Sequence, residues 1–198
     1  MGDRKKEAAQ GTVPGIAVFL PGIGYTCDRP LLYYSAKLAG KEGYEIVRVP
    51  YGNFPKNVKG DPVKMYQCFL TAREQTEDLL SRIGWERYGR ILFVSKSVGT
   101  AVALSYACDH GIRAKHVLYT PLEGTFRFPS GEGDPDAIAF HGTADPWVET
   151  DVLERICEEK KIPLHIAKKA NHSLERGDVQ KDLKILASVM EKTEAFIS

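Results

Sequence analysis

The sequence predicts an α/β protein built on a mostly parallel six-stranded sheet with helices on both faces. Two observations carry this. Short, β-rich apolar runs alternate with longer segments of helical period along nearly the whole chain. Most of those short runs are apolar throughout rather than alternating, as expected of strands covered on both sides. Strand–helix–strand repetition of this kind demands right-handed crossovers and hence parallel pairing. With 198 residues and no internal repeat, linker or low-complexity segment, the chain reads as one domain.

The expected strands are residues 16–20, 45–49, 90–94, 116–119, 137–140 and 164–167. Between them the helices have readable ends. Asp28 can cap a first helix whose inward face is Leu31, Leu32, Ser35, Leu38 and Ala39, with Gly40 as its stop. Asp61-Pro62 opens a second, and Tyr66, Phe69, Leu70, Leu80 and Ile83 keep its period to about Gly84. A third follows Ser97 and a fourth starts near Glu149. The last begins at Asp178 and is expected to bury Val179, Leu183, Leu186, Val189 and Met190. Residues 51–60 and 120–136 are the long connections.

Charge and composition exclude several classes. The chain carries 27 Lys and Arg against 26 Asp and Glu, interspersed, which gives no electrostatic footprint for nucleic acid and no basis for stable membrane association. Residues 1–12 are largely polar and charged and are expected to form a flexible tail. The nearest apolar run, 16–20, is far too short for a signal-peptide core, so a cytoplasmic location is expected. Cys27, Cys68, Cys108 and Cys157 are widely spaced, without C-x-x-C pairs, and read as buried free thiols. No cofactor and no metal is expected.

In an α/β sheet, chemistry gathers in the loops at the carboxyl ends of the strands, where helix N-termini also point. There the strand 90–94 runs into Ser95-Lys96-Ser97-Val98-Gly99 and then a helix containing Ala101, Val102 and Ser105. A sharp strand-to-helix turn at Ser97 would lift its hydroxyl above the sheet. A serine nucleophile needs a base, and the base needs an orienting group. Of five histidines, His116 starts a strand, His165 lies within one and His110 sits at a helix C-terminus. His141 ends the strand 137–140, and His172 lies in the loop after the last strand, with freedom to reach Ser97. Asp145, in His141-Gly142-Thr143-Ala144-Asp145-Pro146-Trp147-Val148, fits either the orienting acid or a helix cap. Glu123 is the replacement acid. The turn 20–24 also reads as a phosphate-binding glycine loop, but it lacks the full G-x-G-x-x-G spacing.

Several of these segments resemble those of the α/β-hydrolases, and the small, lidless dienelactone-hydrolase and carboxylesterase-like members in particular. Residues 95–99 resemble the nucleophile elbow, with Ser95 where the first glycine of G-x-S-x-G stands. Residues 141–148 resemble the H-G-x-x-D-x-x-V segment of that family. Leu20-Pro21-Gly22-Ile23-Gly24 matches its H-G-x-G loop, with Pro21 where histidine is common.

The resemblance covers the chain from Gly15 to the last helix and implies a minimal α/β-hydrolase fold without a cap domain. It implies Ser97 as nucleophile, His172 as base and Asp145 as orienting acid. The oxyanion donors would be the Val98 and Ile23 amides, with Gly24 as alternate. Gly24, Tyr25, Glu123 and Trp147 are expected near the substrate, with Phe126 and Phe128 as further aromatics at the strand ends. Lys96, Lys160-Lys161 and Lys168-Lys169 read as solvated surface. The implied activity is hydrolysis of an ester or thioester of a small acyl group. An acyltransferase on the same residues, or a non-catalytic binding module on the same fold, are the alternatives.

Overall fold

A computed structural model describes residues 13–128 and 136–198; the expected tail, 1–12, and part of the connection 120–136 lie outside the described residues. Six parallel strands run β1 (Gly15–Leu20), β2 (Tyr44–Arg48), β3 (Arg90–Lys96), β4 (Lys115–Tyr119), β5 (Ala137–Gly142) and β6 (Leu164–Ala167), in the order β2-β1-β3-β4-β5-β6. The helices are α1 (Pro30–Lys41), α2 (Pro62–Leu80), α3 (Val98–Asp109), α4 (Thr150–Glu159) and α5 (Val179–Ile197). Short 3-10 turns lie at Trp85–Arg87 and Glu123–Arg127.

Strand alternation assigns the two faces. Ala17, Phe19, Leu92, Val94, Val117, Tyr119, Ile138 and Phe140 pack under α1 and α5. Ile16, Val18, Leu20 and Phe93 pack under α2 and α3, and Leu118 and Ala139 under α4. All six residues of β1 are buried, whereas the edge strands β2 and β6 keep exposed positions. Tyr119 brings a hydroxyl into the first core, where Ser35 and Thr193 both bond it, at 2.8 and 2.7 Å. Among the described residues no helix is long and apolar enough to cross a membrane.

The chain passes from β1 out to β2 and returns to β3 on the other side of β1. That reversal places the loop after β1 beside the loop after β3, at the carboxyl edge where α/β sheets form their clefts. Gly99 makes the close approach possible: a Cβ there would sit 2.4 Å from the Leu20 carbonyl oxygen and 2.5 Å from that of Pro21.

Several helix details differ from expectation. The first helix is not capped by Asp28. Pro30 occupies its first turn with Arg29 as N-cap, because the fixed φ of proline sets the start. Gly40 lies inside α1, and the chain turns instead at Gly43, whose φ of +80° is the left-handed stop. Asp61 does cap α2, accepting from the Lys64 amide at 3.0 Å, but the buried stripe is Cys68, Ala72, Thr76 and Leu80, and α2 ends before Ile83. Small residues face the tightly packed α3, which leaves Tyr66 and Leu70 exposed on the flank. On α5, Asp178 is the N-cap. Val189, Thr193 and Ile197 are buried where the helix lies along α1, and Val179 and Leu183 are exposed. Of the four free thiols, Cys108 is only half-buried.

Candidate active site

The turn from β3 into α3 bends on Ser97, whose φ of 55° and ψ of −125° lie outside the usual regions for a side-chain-bearing residue. The strain is held by packing. The Ser97 amide donates to the Tyr119 carbonyl at 3.0 Å, and its own carbonyl accepts from the Thr100 amide at 2.9 Å. Gly22 crosses so close that a Cβ on it would come 3.1 Å from the Ser97 Cβ. Ser95, at the position of the missing glycine, is fully buried and donates its hydroxyl to the Val117 carbonyl at 3.2 Å. Its side chain is accommodated within the sheet.

His172 reaches this serine from the loop after β6. Its Nε2 lies 2.8 Å from Ser97 Oγ, and its Nδ1 lies 2.6 Å from Asp145 Oδ2. The loop is fixed at several points. Asn171 Oδ1 accepts from the Ser173 and Glu175 amides, and the His172 carbonyl accepts from the Thr120 hydroxyl at 3.1 Å. A Cβ on Gly142 would meet the Ala170 carbonyl oxygen at 2.3 Å, so this loop lies directly on the end of β5.

Asp145 is not a helix cap, since α4 begins only at Thr150 with Glu149 as its N-cap. Its carboxylate is fully buried, and Oδ1 accepts from the Trp147 amide at 2.9 Å. Burial pushes this carboxyl up, but the bond from His172, the charge of that ring and the Trp147 amide outweigh it and hold it below its ordinary range. Burial lowers the His172 imidazole below its usual value, against the opposing pull of Asp145 and with a further push down from Lys96. An ionised carboxylate only accepts, so Nδ1–H donates to Asp145 and Nε2 is left to accept from the serine hydroxyl.

His141 is brought to the same acid but not to the serine. Its Nδ1 lies 3.9 Å from Asp145 Oδ2 without a hydrogen bond, and its Nε2 is 3.1 Å from the Thr150 hydroxyl. Glu123 opens the 3-10 turn after β4, is exposed, and makes no bond to His172. Val98 follows Ser97 on the first turn of α3, and Ile23 follows Gly22, which is in close contact with Ser97, on the loop after β1. Neither amide is spent on a bond within the described residues. The glycine turn is closed by reciprocal bonds between Gly22 and Tyr25 at 3.1 and 3.3 Å, with Gly24 exposed at a φ of +71°.

These pieces match a known architecture. A Coxiella burnetii protein described as an α/β serine hydrolase homologue superposes at a TM-score of 0.63 and 14% identity, over 94% of this chain and 87% of its own. The chain has the α/β-hydrolase fold. Est1E from Butyrivibrio proteoclasticus matches at 0.62 and 11%, over 95% and 90% of the two chains. A Xanthomonas campestris α/β serine hydrolase described as lacking a lid matches at 0.58 and 14%, over 96% and 86%. At such identities the likeness is one of fold. No protein-family model matches the sequence, and no curated protein does.

Within the α/β-hydrolase fold, the surroundings of Ser97 differ from expectation on two counts. Tyr25 is not beside an open cleft: it is buried, and its hydroxyl accepts from the Leu31 amide at 3.1 Å. Lys96 is not on the surface: it is 1% exposed, with its ammonium 5.1 Å from the centre of the Tyr25 ring. The alternation of β3 carries the signal, since Lys96 continues the inward face of Leu92 and Val94. A groove of about 550 Å³ lies on the opposite side, bounded by Val98, Ala101, Phe69, Phe128 and Trp147, with Glu123 at its rim. Phe69 and Phe128 stack at 5.5 Å, and the Trp147 ring lies 5.8 Å from that of His172. Phe126 is buried beneath. The helical period places Phe69 with the core residues of α2, and so hides the contribution of that helix to the groove.

Proposed function

We propose that this protein is a serine hydrolase that cleaves a carboxylic ester or thioester of a small acyl group through an acyl-enzyme. The observation that carries the reading is the unbroken relay from Ser97 Oγ through His172 to the buried Asp145, mounted on a strained strand-to-helix turn. Ser97 attacks the acyl carbonyl while His172 Nε2 takes its proton. The resulting imidazolium is stabilised by Asp145 and returns that proton to the leaving alcohol or thiol. Water then gives a proton to the same nitrogen as its oxygen bonds the acyl carbon, and that proton passes to Ser97 Oγ as the acyl–serine bond breaks and the acid leaves.

The tetrahedral oxyanion would be met by the Val98 and Ile23 amides, each worth about 3 kcal/mol of transition-state stabilisation. The groove supports an apolar acyl group lying against Phe69 and Phe128, with its carbonyl at the end nearest Val98. The fold shared with Est1E and with the lidless serine hydrolase is consistent with an open site of this kind.

Ser97→Ala tests the reading. Turnover of a short p-nitrophenyl ester should fall by roughly four to six orders of magnitude. Hydrolysis at near wild-type rate by the purified variant would overturn the proposal.

A further inference from the structure

A buried lysine with no hydrogen-bonding partner is an expensive feature, and here it immediately precedes the serine. Among the described residues Lys96 Nζ makes no hydrogen bond and no ion pair, although the side chain is 1% exposed. Its stem passes the glycine turn: a Cβ on Gly22 would lie 3.4 Å from the Lys96 carbonyl oxygen and 3.6 Å from its Cγ. Its head rests on the Tyr25 ring, and the backbone of Tyr25 closes that same turn onto Gly22. The ring face attracts the cation, while burial of nearly the whole side chain works against its charged form. Offsetting charges come from Asp145 and Glu175, and His172 experiences the lysine in return.

We propose that Lys96 is a positioning residue for the Ser97 reaction: its stem and its seat on Tyr25 brace the turn that bears the Ile23 amide, and its ammonium is held buried one residue before the serine of the relay. This rests on the reading of Ser97 as nucleophile. The groups facing the pair are Asp145 after β5, Glu175 and His172 in the loop after β6, His141 on β5 and Tyr25 after β1. Asp145 draws a proton onto His172, while Lys96 and His141 oppose it, so Lys96 offsets part of the carboxylate's pull. Burial lowers Lys96 itself to about 7, so its charge is present on the acid side, where His172 would otherwise take up a proton. The arrangement extends the neutral, proton-accepting form of His172 to lower pH.

The test uses Lys96→Met, which keeps the length of the stem and removes the charge, with Tyr25→Leu as a second variant that removes the ring and keeps the charge. In Lys96→Met the His172 ring, titrated by NMR, should have its midpoint moved upward. The acid limb of kcat/KM should move with it. For a midpoint that rises by about one pH unit, kcat/KM near pH 5.5 should fall by up to about tenfold, with little charge-dependent loss above pH 8. In Tyr25→Leu, kcat should fall with KM held within about twofold, because a displaced turn weakens the oxyanion contact made in the transition state. An unmoved His172 midpoint in Lys96→Met, or wild-type kcat in Tyr25→Leu, overturns the corresponding half of the proposal. The NMR titration does not depend on turnover. A shifted midpoint together with an active Ser97→Ala enzyme would therefore retain the electrostatic role and reject the hydrolase reading instead.

Discussion

The two sides of Ser97 are built to opposite ends. Toward α2, a groove that begins at Val98, the residue after the serine, is bounded by Phe69, Phe128 and Trp147, largely apolar and open. Toward α1, the chain is sealed: Gly22 is in close contact, Tyr25 is buried, and Lys96 is shut in against its ring. One side is free to receive a substrate, and the other fixes backbone amides and charge. Lys96 continues the inward face of Leu92 and Val94 in β3, while Val98 and Ala101 of α3 border the groove. The turn at Ser97 therefore joins the rigid side to the accommodating one.

Substitutions on the relay should have the largest effect on that division. Asp145→Asn keeps the shape of the side chain but lets it donate, so His172 loses the tautomer that leaves Nε2 free. Turnover of a short ester should fall by about four orders of magnitude with the melting temperature little changed. A loss under tenfold would show that the buried carboxylate does not orient the ring.

Next in size is the sealed side. Gly99→Ala drives a methyl into the Leu20 and Pro21 carbonyl oxygens, which are backbone and cannot turn aside. Overpacking of this kind should cost about 2–3 kcal/mol and lower the melting temperature by roughly 4–12 °C in a thermal scan. An unchanged melt would mean that β1 and α3 are not held as closely as the geometry implies.

The smallest effect belongs to the open side. Phe128→Ala removes one ring of the stack with Phe69, worth about 1 kcal/mol. KM for butyryl and longer p-nitrophenyl esters should rise by about fivefold, with the acetyl ester nearly unaffected. Equal KM changes across the series would place the acyl group elsewhere.

The strands are legible in the sequence because the central ones are buried on both faces, and such runs leave an unambiguous apolar signature, as in all six residues of β1. Ser97, Asp145 and His172 are legible because each follows a strand, and the carboxyl edge of a parallel sheet collects such positions. Helix faces are harder. Tyr66, Leu70, Val179 and Leu183 follow the helical period, yet the period does not report how far a neighbouring element extends beneath the helix. The charge of Lys96 suggests surface, although its place in the alternation of β3 points inward. Tyr25 stands at a strand end, which suggests the cleft, but the bond from the Leu31 amide draws it under the turn.

The most direct test of the account is covalent labelling. Treated with a fluorophosphonate and digested, the wild-type protein should carry one stoichiometric adduct, on Ser97, and Asp145→Asn should label far more slowly. Failure of the wild-type protein to label, or an adduct on any other residue, would contradict the claim that the relay from Asp145 through His172 makes Ser97 a nucleophile.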